Sequence, residues 1–226
     1  PYISQLSDDA KILDAGAGVG RLVPTLAATG AELHLADSSE KALKTAWREL
    51  CSAGVQNYDL HRLDASDLSC FEDGFFDVCI AIELLCYLHD PASAAKELAR
   101  VCKPGGVVIL SVENKAGAVL GDGNLSIYDI AELSGSDTLY VPGYCYTKYY
   151  TRETASALAE GAGLNVMETA GCHFIADGPF DHIFDEQSLS DPDVFSRYLA
   201  AERACRTVPE IENIGRAWFS VAKKCV

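Results

Sequence analysis

The chain has 226 residues, 49% hydrophobic and 23% charged, which suits one large domain with a substantial core and excludes an intrinsically disordered chain. Its formal net charge is −15, and its densest basic pair is Lys223–Lys224, so an interaction with nucleic acid is not expected. No apolar stretch approaches the ~20 residues of a membrane helix and no signal pattern opens the chain, so no membrane partner and a cytoplasmic setting are expected. The chain opens on Pro1 rather than Met, which leaves room for upstream residues. The nine cysteines form no CxxC pair; they read as small buried hydrophobes in a reducing compartment, and no metal is expected.

In chain order, KILDAG reads as a buried strand, RLVPTLAAT as a helix closed by Gly30, and ELHLAD as a second strand. Ser38 or Ser39 caps the helix EKALKTAWRELCSA, and LHRLDA is a third strand. FDVCIAIELL is a long apolar fourth strand, and Asp90-Pro91 starts the helix ASAAKELARVC. KPGG is then a turn, and VVILSVE is a fifth strand. Thr151 caps TRETASALAEGAG, LNVMETAG is a sixth strand and GRAWFSVAKK a seventh. Alternation of apolar strands with helices predicts a doubly wound α/β domain with a mostly parallel sheet. One domain is expected over 1–226, with a ligand-binding half at 10–114. Two long connectors, 114–150 and 174–213, break the rhythm and read as lids; the first carries a helical hint at SIYDIAEL, the second a helix at DVFSRYLAAERAC.

The strongest chemical signal is LDAGAGVGR between the first strand and first helix. Gly16, Gly18 and Gly20 permit a tight turn and close approach of a ligand to the backbone. A dinucleotide fingerprint would need its third glycine at position 21, which is Arg21. Asp14, two residues before Gly16, disfavours a pyrophosphate and suits an ammonium group, as on the methionine end of S-adenosylmethionine. Asp37 ends the second strand, where an acid accepts from ribose hydroxyls; Asp64, at the end of the third, can accept from an adenine amino group.

With LADSSEKAL, RLDASDLSCFEDGFFDVCIAIELLCYLHDP and KELARVCKPGGVVILSVEN, this motif resembles class I S-adenosylmethionine-dependent methyltransferases, within them the small-molecule, ubiquinone/menaquinone-biosynthesis type. The resemblance covers residues 11–114. It implies a Rossmann-like fold of seven mostly parallel strands with an antiparallel last strand. It also implies S-adenosylmethionine as cofactor, with Asp14, Gly16, Gly18 and Gly20 at its methionine part, Asp37 at its ribose, and Asp64 and Ala65 at its adenine. Ala81 or Ile82 would line the pocket floor, and Arg21 and Ser38 complete the cofactor set. Where the family often has a histidine after the fourth strand, this chain has Tyr87, with His89 two residues on.

The expected reaction is methyl transfer to an O, N or C atom of a small molecule. Two alternatives are a nicotinamide-dependent oxidoreductase, disfavoured by Arg21 and Asp14, and a non-catalytic cofactor-binding module. A hydroxyl or ammonium acceptor must lose a proton, so a base is sought at strand ends and lids. The candidates are His173, after the sixth strand, then Glu113, at the end of the fifth, and His182, in the second lid. Tyr140, Tyr144, Tyr146, Tyr149 and Tyr150 suggest an aromatic acceptor. The acids Asp177, Asp181, Asp185, Glu186, Asp191 and Asp193 suggest an amine-bearing one; Asp181, His182 and Asp185 match no trusted metal spacing.

Overall fold

Strands with buried apolar centres, alternating with helices, build the first half of the chain. The computed structural model describes residues 2–3, 6–7, 9–121, 125–141, 145–176, 178–180 and 189–225. Strands β1 (Lys11–Ala15), β2 (Glu32–Asp37), β3 (Tyr58–Arg62), β4 (Phe76–Ala81), β5 (Cys102–Glu113), β8 (Leu164–Cys172) and β9 (Ala217–Lys224) form one sheet in the order β3-β2-β1-β4-β5-β9-β8. The ladders from β3 to β5 are parallel and β9 is antiparallel, which agrees with the expected seven-stranded sheet. The chain winds one way through β1, β2 and β3, then returns beside β1 with β4. The reversal between β1 and β4 is a topological switch point, where open α/β sheets bind ligands beyond the carboxyl ends of their strands.

The caps follow the sequence closely. Ser39, of the two serines considered, accepts the Ala42 amide and starts α2 (Glu40–Ser52). Asp90 accepts the Ser93 amide ahead of Pro91 and starts α3 (Pro91–Val101). Helix α1 (Val23–Ala27) is only five residues long, with Pro24 in its first turn. Three boundaries differ from expectation. β3 ends at Arg62, so Asp64 lies beyond the strand. β4 ends at Ala81, after which Glu83 adopts a left-handed φ of 52° and Leu85–Tyr87 forms a 3-10 turn. β5 starts at Cys102, because the ladder pairs Phe76 with Cys102, breaks register, and resumes from Val78 with Val107; the KPGG segment bulges out between.

The contacts divide the chain into two compact units: Pro1–Leu110 with Ala157–Met167 and Val221–Val226, and Ser111–Ser156 with Glu168–Ser220. The core of the first includes the fully buried Ile12, Leu13, Leu33, Leu35, Leu68 and Leu98, with Phe76 beside them. The second holds most of both long connectors. Helix α4 (Lys115–Gly121), helix α5 (Ile127–Gly135) and the hairpin β6 (Thr138–Val141)–β7 (Cys145–Lys148) surround Ala118, Leu133, Leu139 and Tyr149. Ser126 and Asp129 form a capping box that fixes the start of α5 where a helix was only hinted. The hairpin was not foreseen. Asn114 donates to the carbonyls of Asn213 and Gly215 at 2.8 and 2.7 Å. Helix α6 (Arg152–Glu160) begins after Thr151, whose hydroxyl accepts the Thr154 amide. Helices α7 (Pro192–Arg206), capped by Asp191, and α8 (Pro209–Glu212) complete the elements. Among the described residues no helix is long and apolar enough to cross a membrane.

Candidate functional site

The glycine loop follows β1 directly. Its three glycines all have positive φ, at 73°, 55° and 85° for Gly16, Gly18 and Gly20. The amides of Gly16 and Ala17 both donate to the Ala36 carbonyl, at 2.8 and 3.0 Å, and the Gly18 amide donates to Asp37 Oδ2 at 2.9 Å. Similar backbone conformations conceal different roles. A Cβ on Gly20 would stand 2.9 Å from Ala46 Cα, so this glycine lets the loop pack on α2. A Cβ on Gly18 would meet nothing nearer than the Gly16 carbonyl at 4.0 Å, so Gly18 borders open space.

Asp14 is buried at the carboxyl end of β1, only 3% exposed, between Leu35 of β2 and Ile80 of β4. Among the described residues its Oδ2 accepts no hydrogen bond. Burial pushes its carboxyl up to about 7; the Arg21 guanidinium opposes the rise and the Asp37 carboxylate adds to it. A buried carboxylate without a partner is costly, and the cost is recovered by a cationic donor brought to it. An amino-acid ammonium meets that requirement. The open face of Gly18 leaves room for the rest of such a ligand. The residues present therefore fit S-adenosylmethionine.

Asp37 is oriented by two backbone donors, Gly18 at Oδ2 and Ser39 at Oδ1, 2.8 Å for the latter. Each oxygen keeps a second lone pair for a ligand hydroxyl. Ser38 is exposed between them. Asp64 turns back on its own loop, accepting the amide and hydroxyl of Ser66 at 2.9 and 2.6 Å, and these bonds lower its pKa. Ala65 is buried beside it. After β4, Ala81 is buried and Ile82 half-buried. Sequence reasoning missed Glu83, which follows them and pairs with Arg21 at 3.3 Å. Its left-handed backbone carries no signature in sequence. With Arg21 61% exposed, the pair contributes little stability.

The structure thus joins Asp14, the glycine loop and Asp37 through bonds and fields in the first unit. The candidate bases Glu113 and His173 lie in the second. Glu113 is buried and ion-paired with Arg216 at 3.0 Å. His173 follows β8 with a left-handed φ of 58°, and its carbonyl accepts the Arg216 amide. His182 lies outside the described residues, as do Tyr144, Asp177, Asp181, Asp185 and Glu186. Tyr149 and Tyr150 are core residues, whereas Tyr140 and Tyr146 pair on the exposed hairpin with ring centroids 5.5 Å apart. A cleft of about 290 Å³ in the second unit is lined by Arg152, Glu168, Arg203, Arg206 and Glu212. Two ion pairs, Arg152–Glu212 and Arg206–Glu168, bridge its walls.

Comparison with known proteins gives a consistent result. Residues 13–110 match the family described as "Methyltransferase domain". The ubiquinone biosynthesis O-methyltransferase of Thiobacillus denitrificans is 32% identical over 196 residues, 85% of this chain and 78% of that protein. The enzyme of the same name from Aromatoleum aromaticum is 30% identical over 167 residues, 73% of this chain and 68% of that one. Among solved structures, an S-adenosylmethionine-dependent methyltransferase from Mesorhizobium loti has a TM-score of 0.66 at 16% identity, covering 99% of this chain and 93% of its own, a likeness of fold alone.

Proposed function

The chain belongs to the class I S-adenosylmethionine-dependent methyltransferases, and we propose that it methylates a hydroxyl oxygen of a small aromatic acceptor. It is an S-adenosylmethionine-dependent enzyme for a small-molecule acceptor. When bound, the cofactor supplies a methyl group on a sulfonium, which is already a good leaving group. The protein's own work is to hold that group, align the acceptor and dispose of a proton.

The observation that carries the reading is Asp14, a buried carboxylate with an oxygen that accepts no hydrogen bond from a described residue, beside an open glycine loop. In this reading Asp14 takes the ammonium of the methionine part. The glycine loop passes close to the ligand, Asp37 accepts from the ribose hydroxyls, and Asp64 with Ala65 borders the adenine. Ala81 and Ile82 form the apolar floor, while Arg21 and Ser38 edge the site. His173 takes the acceptor's proton, a role supported by its place at a strand end. Glu113 is the weaker candidate because Arg216 already claims its charge.

The oxygen acceptor is supported by the printed function of the relatives, O-methyl transfer in ubiquinone biosynthesis. The aromatic character has independent support in the exposed Tyr140–Tyr146 pair, which offers flat apolar surface with polar edges. Calorimetric titration with S-adenosylhomocysteine and with NAD tests the cofactor assignment. Saturable binding of the first and none of the second is expected; the reverse would overturn it.

A further inference from the structure

A second cluster of chemically capable side chains lies on β2 and β3, outside the residues assigned above. The parallel register sets His34 opposite Asp59, and Asp59 and His61 share one face of β3. His34 Nδ1 and His61 Nε2 are 3.0 Å apart. The ring planes differ by 9° and the centroids are 5.2 Å apart, so the two imidazoles meet edge to edge and share one proton. On the far side, His34 Nε2 lies 2.7 Å from Glu32 Oε1, which also accepts from Lys11 Nζ. Because the Glu32 carboxylate accepts, His34 Nε2 is the donor there, which leaves Nδ1 as a lone pair facing His61 and Asp59.

We propose that His34 Nδ1, His61 Nε2 and the Asp59 carboxylate form a binding site for a divalent transition metal of the zinc class. One ligand atom from each residue lies within 4.8 Å of the others. Two imidazole nitrogens on a tetrahedral zinc stand about 3.4 Å apart, so the rings need to part by only a few tenths of an ångström and turn. Two imidazoles and a carboxylate suit zinc, nickel or copper better than calcium or magnesium. Glu32 is a positioning residue here, the outer carboxylate that orients a ligating histidine. Phe71, with its ring centroid 4.8 Å from that of His61, and Phe76, 5.1 Å from that of His34, wall the inner side. Asp59 is exposed and accepts no hydrogen bond from a described residue, so ions enter from its side and the fourth position stays with water. On uptake the proton of His61 Nε2 moves to its Nδ1, which no described group occupies, and the freed lone pair forms the metal bond. No electron changes hands.

The chelator-treated chain is titrated with zinc chloride by calorimetry, after the exposed thiols of Cys51, Cys70 and Cys225 are alkylated. Parent, His61→Asn and Asp59→Asn chains are compared, with circular dichroism as a check of fold. Asp59 is exposed, so Asp59→Asn tests the site even if His61→Asn misfolds. The expected result is one zinc per chain in the parent, with at least tenfold weaker binding in each folded variant and a zinc-dependent rise in melting temperature in the parent alone. Equal affinity in parent and Asp59→Asn, or no saturable binding in the parent, would overturn the proposal.

Discussion

The amide of Gly18 donates to Asp37 Oδ2 at 2.9 Å, tying the apex of the glycine loop to the end of the neighbouring strand. The same carboxylate takes the Ser39 amide at its other oxygen. One acid therefore shapes the loop, sets the approach to α2 and still offers lone pairs to a ligand. Asp37→Ala removes all three contributions. It should weaken S-adenosylhomocysteine binding about ten- to a hundredfold, on the order of 1.4–3 kcal/mol. Calorimetry checks this; parent-like affinity would mean that another group holds the ribose.

Asp14 makes the chain pH-sensitive. Its folded value of about 7 lies above the ordinary 3.8, so the folded state binds the proton more tightly than the unfolded state. Apo stability from this group is fully present below about pH 4, falls as pH rises towards 7, and is then level. Asp14→Asn should abolish that slope in a series of thermal melts between pH 4.5 and 7.5. Ligand binding has the opposite sign, because an ammonium prefers the ionised acid. S-adenosylhomocysteine affinity in the parent should rise from pH 5.5 to 7.5, with a proton released on binding, and should be weak and flat in Asp14→Asn.

Gly18 and Gly20 should separate on substitution. Gly18→Ala carries a backbone strain of about 1 kcal/mol but meets no atom closer than 4.0 Å, so it should fold and bind poorly. Gly20→Ala places its Cβ 2.9 Å from Ala46 Cα and should lower the melting temperature by several degrees. Thermal melts run beside ligand titrations distinguish the two. If Gly18→Ala binds as the parent does, the open space beside it is not the ligand's path.

Most of the first half of the molecule was legible in sequence, since its information is local. Continuous apolar runs mark the buried strands, and Ser39 and Asp90 mark the helix starts. The position of Arg21 told a nucleoside loop from a dinucleotide one. What stayed hidden depends on tertiary context. The length of β5 is set by a register break against β4, the ion pair of Glu113 with Arg216 spans 103 positions, and the left-handed turn at Glu83 follows no glycine or asparagine signal. The β6–β7 hairpin stayed hidden because the cross-strand pairing of Tyr140 with Tyr146 leaves no periodicity in a short, Tyr-rich stretch. His34 and His61 escaped notice because their adjacency exists only through the β2–β3 register.

His173 can be tested with its backbone strain held separate. Its φ of 58° costs about 1–2 kcal/mol for a residue with a side chain, and glycine relieves it. His173→Gly should therefore be at least as stable as the parent while losing ~10²-fold in turnover. Cofactor affinity should be unchanged. A stable His173→Gly enzyme with parent-like turnover assigns the proton transfer elsewhere.

The most direct measurement is a turnover assay with S-adenosylmethionine across a panel of phenols, catechols and amines, following S-adenosylhomocysteine release and the mass of the acceptor. The account predicts stoichiometric gain of one methyl group per S-adenosylhomocysteine formed, on the oxygen of an aromatic hydroxyl, and loss of that product in Asp14→Asn. Tight binding of S-adenosylhomocysteine with no methylated product from any member of the panel would contradict it and leave a cofactor-binding module without the reaction.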